Sequence, residues 1–376
     1  MRKMTLVLLD SDRYFSEMLS VFIRTSEYAD RFTIHCFSSK PQGLQFLEET
    51  QEPFILLVQE TWLPLPETLA RLKLGCTVLI SDHHHSVLEV DYPVLCKFQP
   101  LDRLLSEVAA HYNDYCAVQQ PLLGSRSTRV IAVYSTVGGA GKTVTALQIA
   151  KQLTLHGERV CCVSFERLPS YAWYPVQDAA GAEAFSSMVY YAKMNPKLLS
   201  SKIERWKSKH PVMKFDYIPP LAHLREWQEL TEDDAASILQ GLVDAKLYDV
   251  LVLDLDSILN DVMRQLLVKS DQVLWLLLDD VVYLQKTVTS LSEFRQTDEP
   301  DSWLDLKKKI SFVQNKRTGA PLNDFEGLGF RLSGALPYVP DWKAIGRLEQ
   351  LSSPMFAEAA AELVRSKESE VVSLVV

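Results

Sequence analysis

Residues 135–144 read STVGGAGKTV, with three glycines, a lysine and a threonine in the order a phosphate-binding turn requires. Glycines let backbone N–H groups turn inward around an anion, because they adopt positive φ without a Cβ penalty. A helix starting just after them adds the partial positive charge of its N-terminus. In that frame Lys142 reaches the β- and γ-phosphates of a nucleotide and the Thr143 hydroxyl ligates Mg²⁺. The loop departs from two patterns at once. G-x-x-x-x-G-K-[ST] wants glycine where Thr136 stands, and K-G-G-x-G-K-[ST] wants lysine where Val137 stands. The double glycine of the second pattern is present as Gly138 and Gly139. Gly138, Gly139, Ala140, Gly141, Lys142, Thr143 and Val144 therefore form the candidate nucleotide site, with ATP and Mg²⁺ as its cofactors.

Such a loop works only between a strand and a helix. RVIAVYS precedes it, and from Thr143 to His156 the apolar residues Ala146, Ile149, Ala150 and Leu153 recur at i, i+3, i+4 and i+7, with Gly157 as the stop. RVCCVSF, FDYIP, YDVLVLDLD, QVLWLLL and KISFVQN are apolar at both alternating positions, the mark of strands covered on both faces. The first hundred-odd residues alternate in the same way: TLVLL, DRYFSEMLSVFIRT, FTIHCFS, PQGLQFLEET, FILLVQ, CTVLIS and LDRLLSEVAAHY. Around QQPLLGSRST the periodicity stops. The expected fold class is α/β, with two doubly wound parallel-sheet domains in series: residues 1–118, a linker at 119–128, and residues 129–376.

Composition narrows the function. A chain of 376 residues that is 47% hydrophobic has enough apolar surface for two such cores. A formal net charge of -9 argues against a protein whose main task is coating nucleic acid, which needs a basic face. Cys36, Cys76, Cys96, Cys116, Cys161 and Cys162 show no C-x-x-C spacing and read as reduced thiols. The opening MRKMTLVLLDSD imitates a signal peptide until Asp10 and Asp12 break it, and VLWLLL is too short for a membrane span. A cytoplasmic protein is expected.

From these residues the second half resembles the MinD/ParA class of deviant-Walker P-loop ATPases over most of residues 129–376. The resemblance implies that Asp254, in YDVLVLDLD, holds the magnesium water shell, and that Glu166, after RVCCVSF, orients the attacking water. In that strand Ser164 stands where the class has a first aspartate, and Asp256 and Ser257 stand where it has two prolines. The resemblance makes Lys142, Glu166 and Asp254 the catalytic set and Thr143 and Asp254 the magnesium set. It places Asn315 of ISFVQNK at the adenine and Pro337 of GALPYVPDW in the nucleotide-side segment. The class's lysine at position 137 crosses a dimer to neutralise charge in phosphoryl transfer, and valine does not. Fingers of that sort are worth about 10³ to 10⁵ in rate, so the expectation is ATP binding with slow or absent hydrolysis, a weak ATPase at most.

Residues 1–118 resemble a response-regulator receiver that has lost its switch. Its acid pair falls on Asp10 and Ser11, the phosphoacceptor position on Glu60, the hydroxyl position on Ser81 and the lysine on Lys97. Glutamate there imitates a phosphorylated aspartate by charge. A receiver-like half before a MinD/ParA-like half resembles the TadZ/CpaE-like pilus assembly proteins. That likeness implies an ATP-dependent homodimer serving as a localisation factor for pilus or secretion machinery, with partners such as a secretion ATPase, at a cell pole or beneath the apparatus. A ParA-type partition ATPase binding DNA and a two-component regulator with ATPase output are the alternatives. The former lacks the basic face and the lysine, and the latter lacks a phosphoacceptor. The histidines of DHHH have no second cluster to complete a metal site. KMNPKLLSSKIERWKSKH, residues 193–210, reads as a solvated basic face, and AELVRSKESEVVSLVV lacks a basic amphipathic helix for membrane attachment.

Overall fold

The computed structural model describes residues 3–50, 52–65, 74–83, 92–115, 122–176, 179–221, 223–297 and 300–372. The chain divides into two units: Met1–Ser125 together with Lys197–Arg205, and Arg126–Pro196 together with Trp206–Val376.

In the first unit β1 (Met4–Leu9), β2 (Phe32–Phe37), β3 (Phe54–Gln59), β4 (Leu74–Ser81) and β5 (Val94–Cys96) pair in parallel in the order β2-β1-β3-β4-β5. Alternation along β1 sends Leu6 and Leu8 into one apolar core and Val7 and Leu9 into another on the opposite face. Helices therefore cover both faces, as the near-continuous apolar runs require. Leu122, within the expected linker, is buried in the first of these cores.

The basic stretch 193–210 is not the solvated face its charges suggest. Its helix Leu199–Trp206 belongs, through Arg205, to the first unit, and Leu199 and Ile203 are fully buried. Glu204 forms a buried ion pair with Arg31 and accepts a 2.7 Å hydrogen bond from Ser106 Oγ. Asp114 takes the charges of Lys202 and Arg205. Asn113 links this helix to the chain's exit, donating to Ser201 O and accepting from Leu122 N.

The second unit holds β6 (Arg129–Tyr134), β7 (Val160–Phe165), β8 (Ser208–Lys209), β9 (Asp216–Ile218), β10 (Val250–Leu255), β11 (Gln272–Leu277), β12 (Ile310–Arg317) and β13 (Leu332–Pro337). Their order is β13-β12-β11-β6-β10-β7-β9-β8, parallel throughout except for β8 against β9. Every residue of β7, β10 and β11 is buried. β6 lies between β10 and β11, so the strand order reverses there, and such a reversal opens a crevice at the carboxyl ends of the strands. Arg126 and Thr128 tie the unit's first residues to Asp249 and Tyr248 O. The fold class is thus α/β with two sheets of the doubly wound type. No helix among the described residues is long and apolar enough to cross a membrane, and the five described cysteines are free thiols.

Candidate functional site

The site grows from the end of β6. After Tyr134 the chain runs through Ser135–Gly141 and enters a helix, Lys142–Leu155. Gly139 has φ of 72° and Gly141, the helix N-cap, φ of 92°, a region that side chains rarely tolerate. At Gly141 a Cβ would also stand 2.5 Å from Asn315 Nδ2, so the glycine is required twice over. The helix buries Ala146, Ile149, Ala150 and Leu153 against the sheet, which fixes the direction of its first turn. Val137 is itself nearly buried, at 7% exposure, so the position that holds lysine in the second loop pattern faces inward here.

Lys142 is 6% exposed; its ammonium donates to Ser257 Oγ at 2.7 Å and lies 3.6 Å from Glu166 Oε1. Ser257 was not among the residues marked from the sequence. Its hydroxyl oxygen accepts the hydrogen bond of the lysine. Asp254, at the end of β10, is fully buried and collects three hydroxyls: Thr143 Oγ1 at 3.2 Å on one oxygen, Ser164 Oγ and Tyr174 Oη at 3.3 Å on the other. Ser164 is its direct register partner on β7. A carboxylate at that position would set like charges side by side, whereas serine donates a hydrogen bond. Burial pushes the Asp254 carboxyl up to about 7, Glu166 adds to the rise, and Lys142 and the hydroxyl donors oppose it. Glu166 is raised as well, first by burial, against the pull of Lys142. Asp256 goes the other way. Against the burial that would raise it, the Arg167 N–H and guanidinium hold it below the usual carboxylate range.

On the other side of β6, Asn315 Nδ2 donates to Ala140 O at 2.7 Å, which commits this expected adenine contact to bracing the loop. Its neighbour Lys316 donates from Nζ to Gly139 O, also at 2.7 Å. Val144 packs against the core, and Pro337, the last residue of β13, pairs with Arg317 beyond Asn315. The structure thus brings Lys142, Thr143, Glu166, Asp254 and Asn315 around one loop. Ser257, Tyr174 and Lys316 join them without having been marked. A serine three residues past an acid at a strand end is the one sequence feature that could have pointed to any of these.

This arrangement fits a nucleoside triphosphate with magnesium. A near-buried ammonium, two left-handed glycines and a helix N-terminus suit an anion. Thr143 Oγ1 and Asp254 are hard oxygen donors, and a pair of protein oxygens is enough for an ion that keeps most of its waters.

In the first unit, Asp10 is fully buried, with one oxygen accepting from Asp12 N and the other without a hydrogen-bond partner. Lys97 pairs with Asp82 at 2.7 Å and Asp12 at 3.2 Å, and those carboxylates keep it charged against its burial. Asp12 also caps the helix Arg13–Thr25. Ser11 Oγ donates to Gln59 Oε1, Ser81 Oγ accepts from His83 N, and Glu60 opens a short turn with one buried carboxylate oxygen unpaired. The cluster therefore gathers Asp10, Asp12, Asp82 and Lys97, and the lysine's partners are Asp12 and Asp82. His84 and His85 lie outside the described residues. Among the described residues no group of three or more His, Cys, Asp or Glu side chains is placed to hold a metal ion.

No protein-family model matches the chain, and no curated protein sequence does. Among solved structures the chain is similar to a ParA family ATPase from Chlorobium tepidum TLS, at 16% identity and a TM-score of 0.46 over 64% of this chain and 93% of that one. It is similar to the cell division ATPase MinD of Pyrococcus furiosus, at 16% identity and a TM-score of 0.44 over 64% and 98%. It is also similar to cobyrinic acid a,c-diamide synthase from Mycobacterium smegmatis with bound ADP and magnesium, at 17% identity and a TM-score of 0.44 over 65% and 96%.

Proposed function

We propose that the chain is an ATP-binding switch of the MinD/ParA class with slow or absent hydrolysis. The observation that carries this reading is Lys142 and Thr143 opening a helix after left-handed Gly141, with Asp254 on the threonine and Glu166 beside the lysine. Gly138, Gly139, Ala140 and Gly141 would wrap the phosphates with backbone N–H groups, Lys142 would meet the β- and γ-oxygens, and Thr143 with Asp254 would hold the magnesium. When bound, the metal neutralises phosphate charge. Glu166 would orient the attacking water, and its ion pair with Lys142 lowers the basicity that burial gives the carboxylate. Val137 offers no cation, so among this chain's own residues the transition-state charge a crossing lysine would meet is left to Lys142.

At the scale of the cell, we propose a nucleotide-dependent homodimer of the TadZ/CpaE type, a localisation factor for pilus or secretion machinery. The pairing of a receiver-like first half, whose phosphoacceptor position is Glu60, with the ATP-binding second half supports this. The net charge of -9 speaks against the DNA-partition alternative. Light scattering of the purified chain tests the switch: Mg-ATP is expected to double the mass and Mg-ADP to leave it unchanged, and equal masses under both conditions would count against it.

A further inference from the structure

We propose that Tyr174 is a positioning residue for the magnesium site: its buried hydroxyl fixes one oxygen of Asp254 and so keeps the other turned toward Thr143 and the ion. The proposal rests on the ATP-binding reading above.

Three observations converge on this tyrosine. The first is how the oxygens of Asp254 are divided. Oδ1 accepts from Thr143 Oγ1 at 3.2 Å, and Oδ2 accepts from Ser164 Oγ and Tyr174 Oη, each at 3.3 Å. Donors on the far oxygen hold the carboxylate against rotation about its Cβ–Cγ bond, so the near oxygen stays on the threonine side. The second is that Tyr174 is clamped. It is fully buried, and its ring packs against Tyr217 at 5.9 Å and 45°. Its neighbours in the chain are tied to distant segments: Trp173 O meets His210 Nε2 at 3.1 Å, and Pro175 O accepts from Tyr217 Oη. A hydroxyl at the tip of a planar ring held in this way has one position. Ser164 is less constrained, since its Oγ turns about a single bond and also accepts the Glu166 N–H at 3.4 Å. The third is what a hydroxyl does in this place. Tyr174 lies in the apolar core with Met213 and Phe215, where phenylalanine would fill the same space with no polar atom to satisfy. The hydroxyl's other neighbour is Cys162 Sγ, at 3.5 Å, a weak hydrogen-bond partner, so its strong acceptor is Asp254.

Partners that hold a ligating group in one orientation are worth about 10- to 100-fold in metal affinity. Magnesium sharpens the requirement, because it demands near-octahedral geometry and takes few protein oxygens. The phosphates would be met by Lys142 and the loop N–H groups. Tyr174 therefore acts on what the metal adds to affinity and leaves the nucleotide's own contacts alone.

Calorimetry on the full chain separates positioning from packing, with ATP titrated in EDTA and again at a series of magnesium concentrations. Tyr174→Phe is expected to leave metal-free ATP affinity unchanged and to raise the magnesium concentration at half-effect by about tenfold or more. Unchanged metal-free binding also shows that the variant is folded. Ser164→Ala, with Tyr174 in place, should raise that concentration by less than about tenfold. If the phenylalanine variant does not fold, Ser164→Ala decides alone: a larger shift would assign the orientation of Asp254 to the serine and overturn the proposal. Equal weakening of ATP with and without magnesium by Tyr174→Phe would make the tyrosine a packing residue and overturn it too, and so would an unchanged magnesium dependence. A wild-type chain whose ATP affinity ignores magnesium would remove the proposal and leave a metal-free nucleotide site. One that binds no ATP under either condition would remove the ATP reading itself.

Discussion

Lys142 is where the chemistry of the site is decided, because its short hydrogen bond goes to a neutral serine and its carboxylate lies farther off, at 3.6 Å. An ammonium so held keeps its charge available for phosphate. Lys142→Ala should cut Mg-ATP affinity by about 100-fold or more, roughly 2.7 kcal/mol, in an equilibrium binding assay. Ser164 tests the local electrostatics. Ser164→Ala removes one of three hydroxyls from the buried Asp254 and should cost about 1 kcal/mol in urea unfolding. Ser164→Asp should cost more, since it adds a like charge in direct register with a buried carboxylate. The loop lysine and threonine were legible because their roles depend on neighbours in sequence. Tyr174 and Lys316 were not, because each reaches its partner through the fold, 80 and 177 residues away.

At the scale of elements, apolar runs found most of the strands of both sheets, since burial on both faces leaves a signal in every residue. β5, β8 and β13 escaped it: β5 and β8 have only three and two residues, and β13 buries one residue of its six and so carries no apolar run. The register shift on β12 between Gln314 and Arg317 is set by its partner strand and left no mark in QNKR. The helix Leu199–Trp206 misled for a related reason. Its charges look solvated, but Glu204 meets Arg31 across 173 positions of chain. Removing one member of a buried ion pair strands the other, at a cost of about 3–5 kcal/mol. Glu204→Ala should therefore lower the urea midpoint of the first unit by that measure, and Glu204→Leu combined with Arg31→Met should recover much of it. A fragment ending at Ser125 lacks this helix and should melt well below the intact chain's first unit, as followed by circular dichroism.

For the whole molecule, the expectation of two wound sheets in series held at the level of fold class, and the first unit drew in a segment from far along the chain that no local pattern announced. Stability of the second unit should depend on pH through His210. Its Nδ1 accepts from Val212 and Met213 N–H and its Nε2 meets Trp173 O, an arrangement for the neutral ring, and burial lowers its pKa below the ordinary value. The unfolded chain then takes up the proton first. The His210 contribution is full above about pH 6.5 and declines as the pH falls below that. Asp254, pushed up to about 7, contributes the opposite slope with or without the histidine, so the test is the difference: below about pH 6.5 the His210→Asn chain should lose less stability than the wild type, as read from urea midpoints across the range.

Binding with little turnover is the property on which the rest depends, and titration calorimetry with Mg-ATP on the purified chain, paired with steady-state phosphate release from the same sample, measures it directly. Saturable binding that Lys142→Ala weakens by about 100-fold or more, with turnover far below the roughly 1 s⁻¹ at the slow end of typical enzymes, is the expected result. No heat from any adenine nucleotide in the presence of magnesium would contradict it.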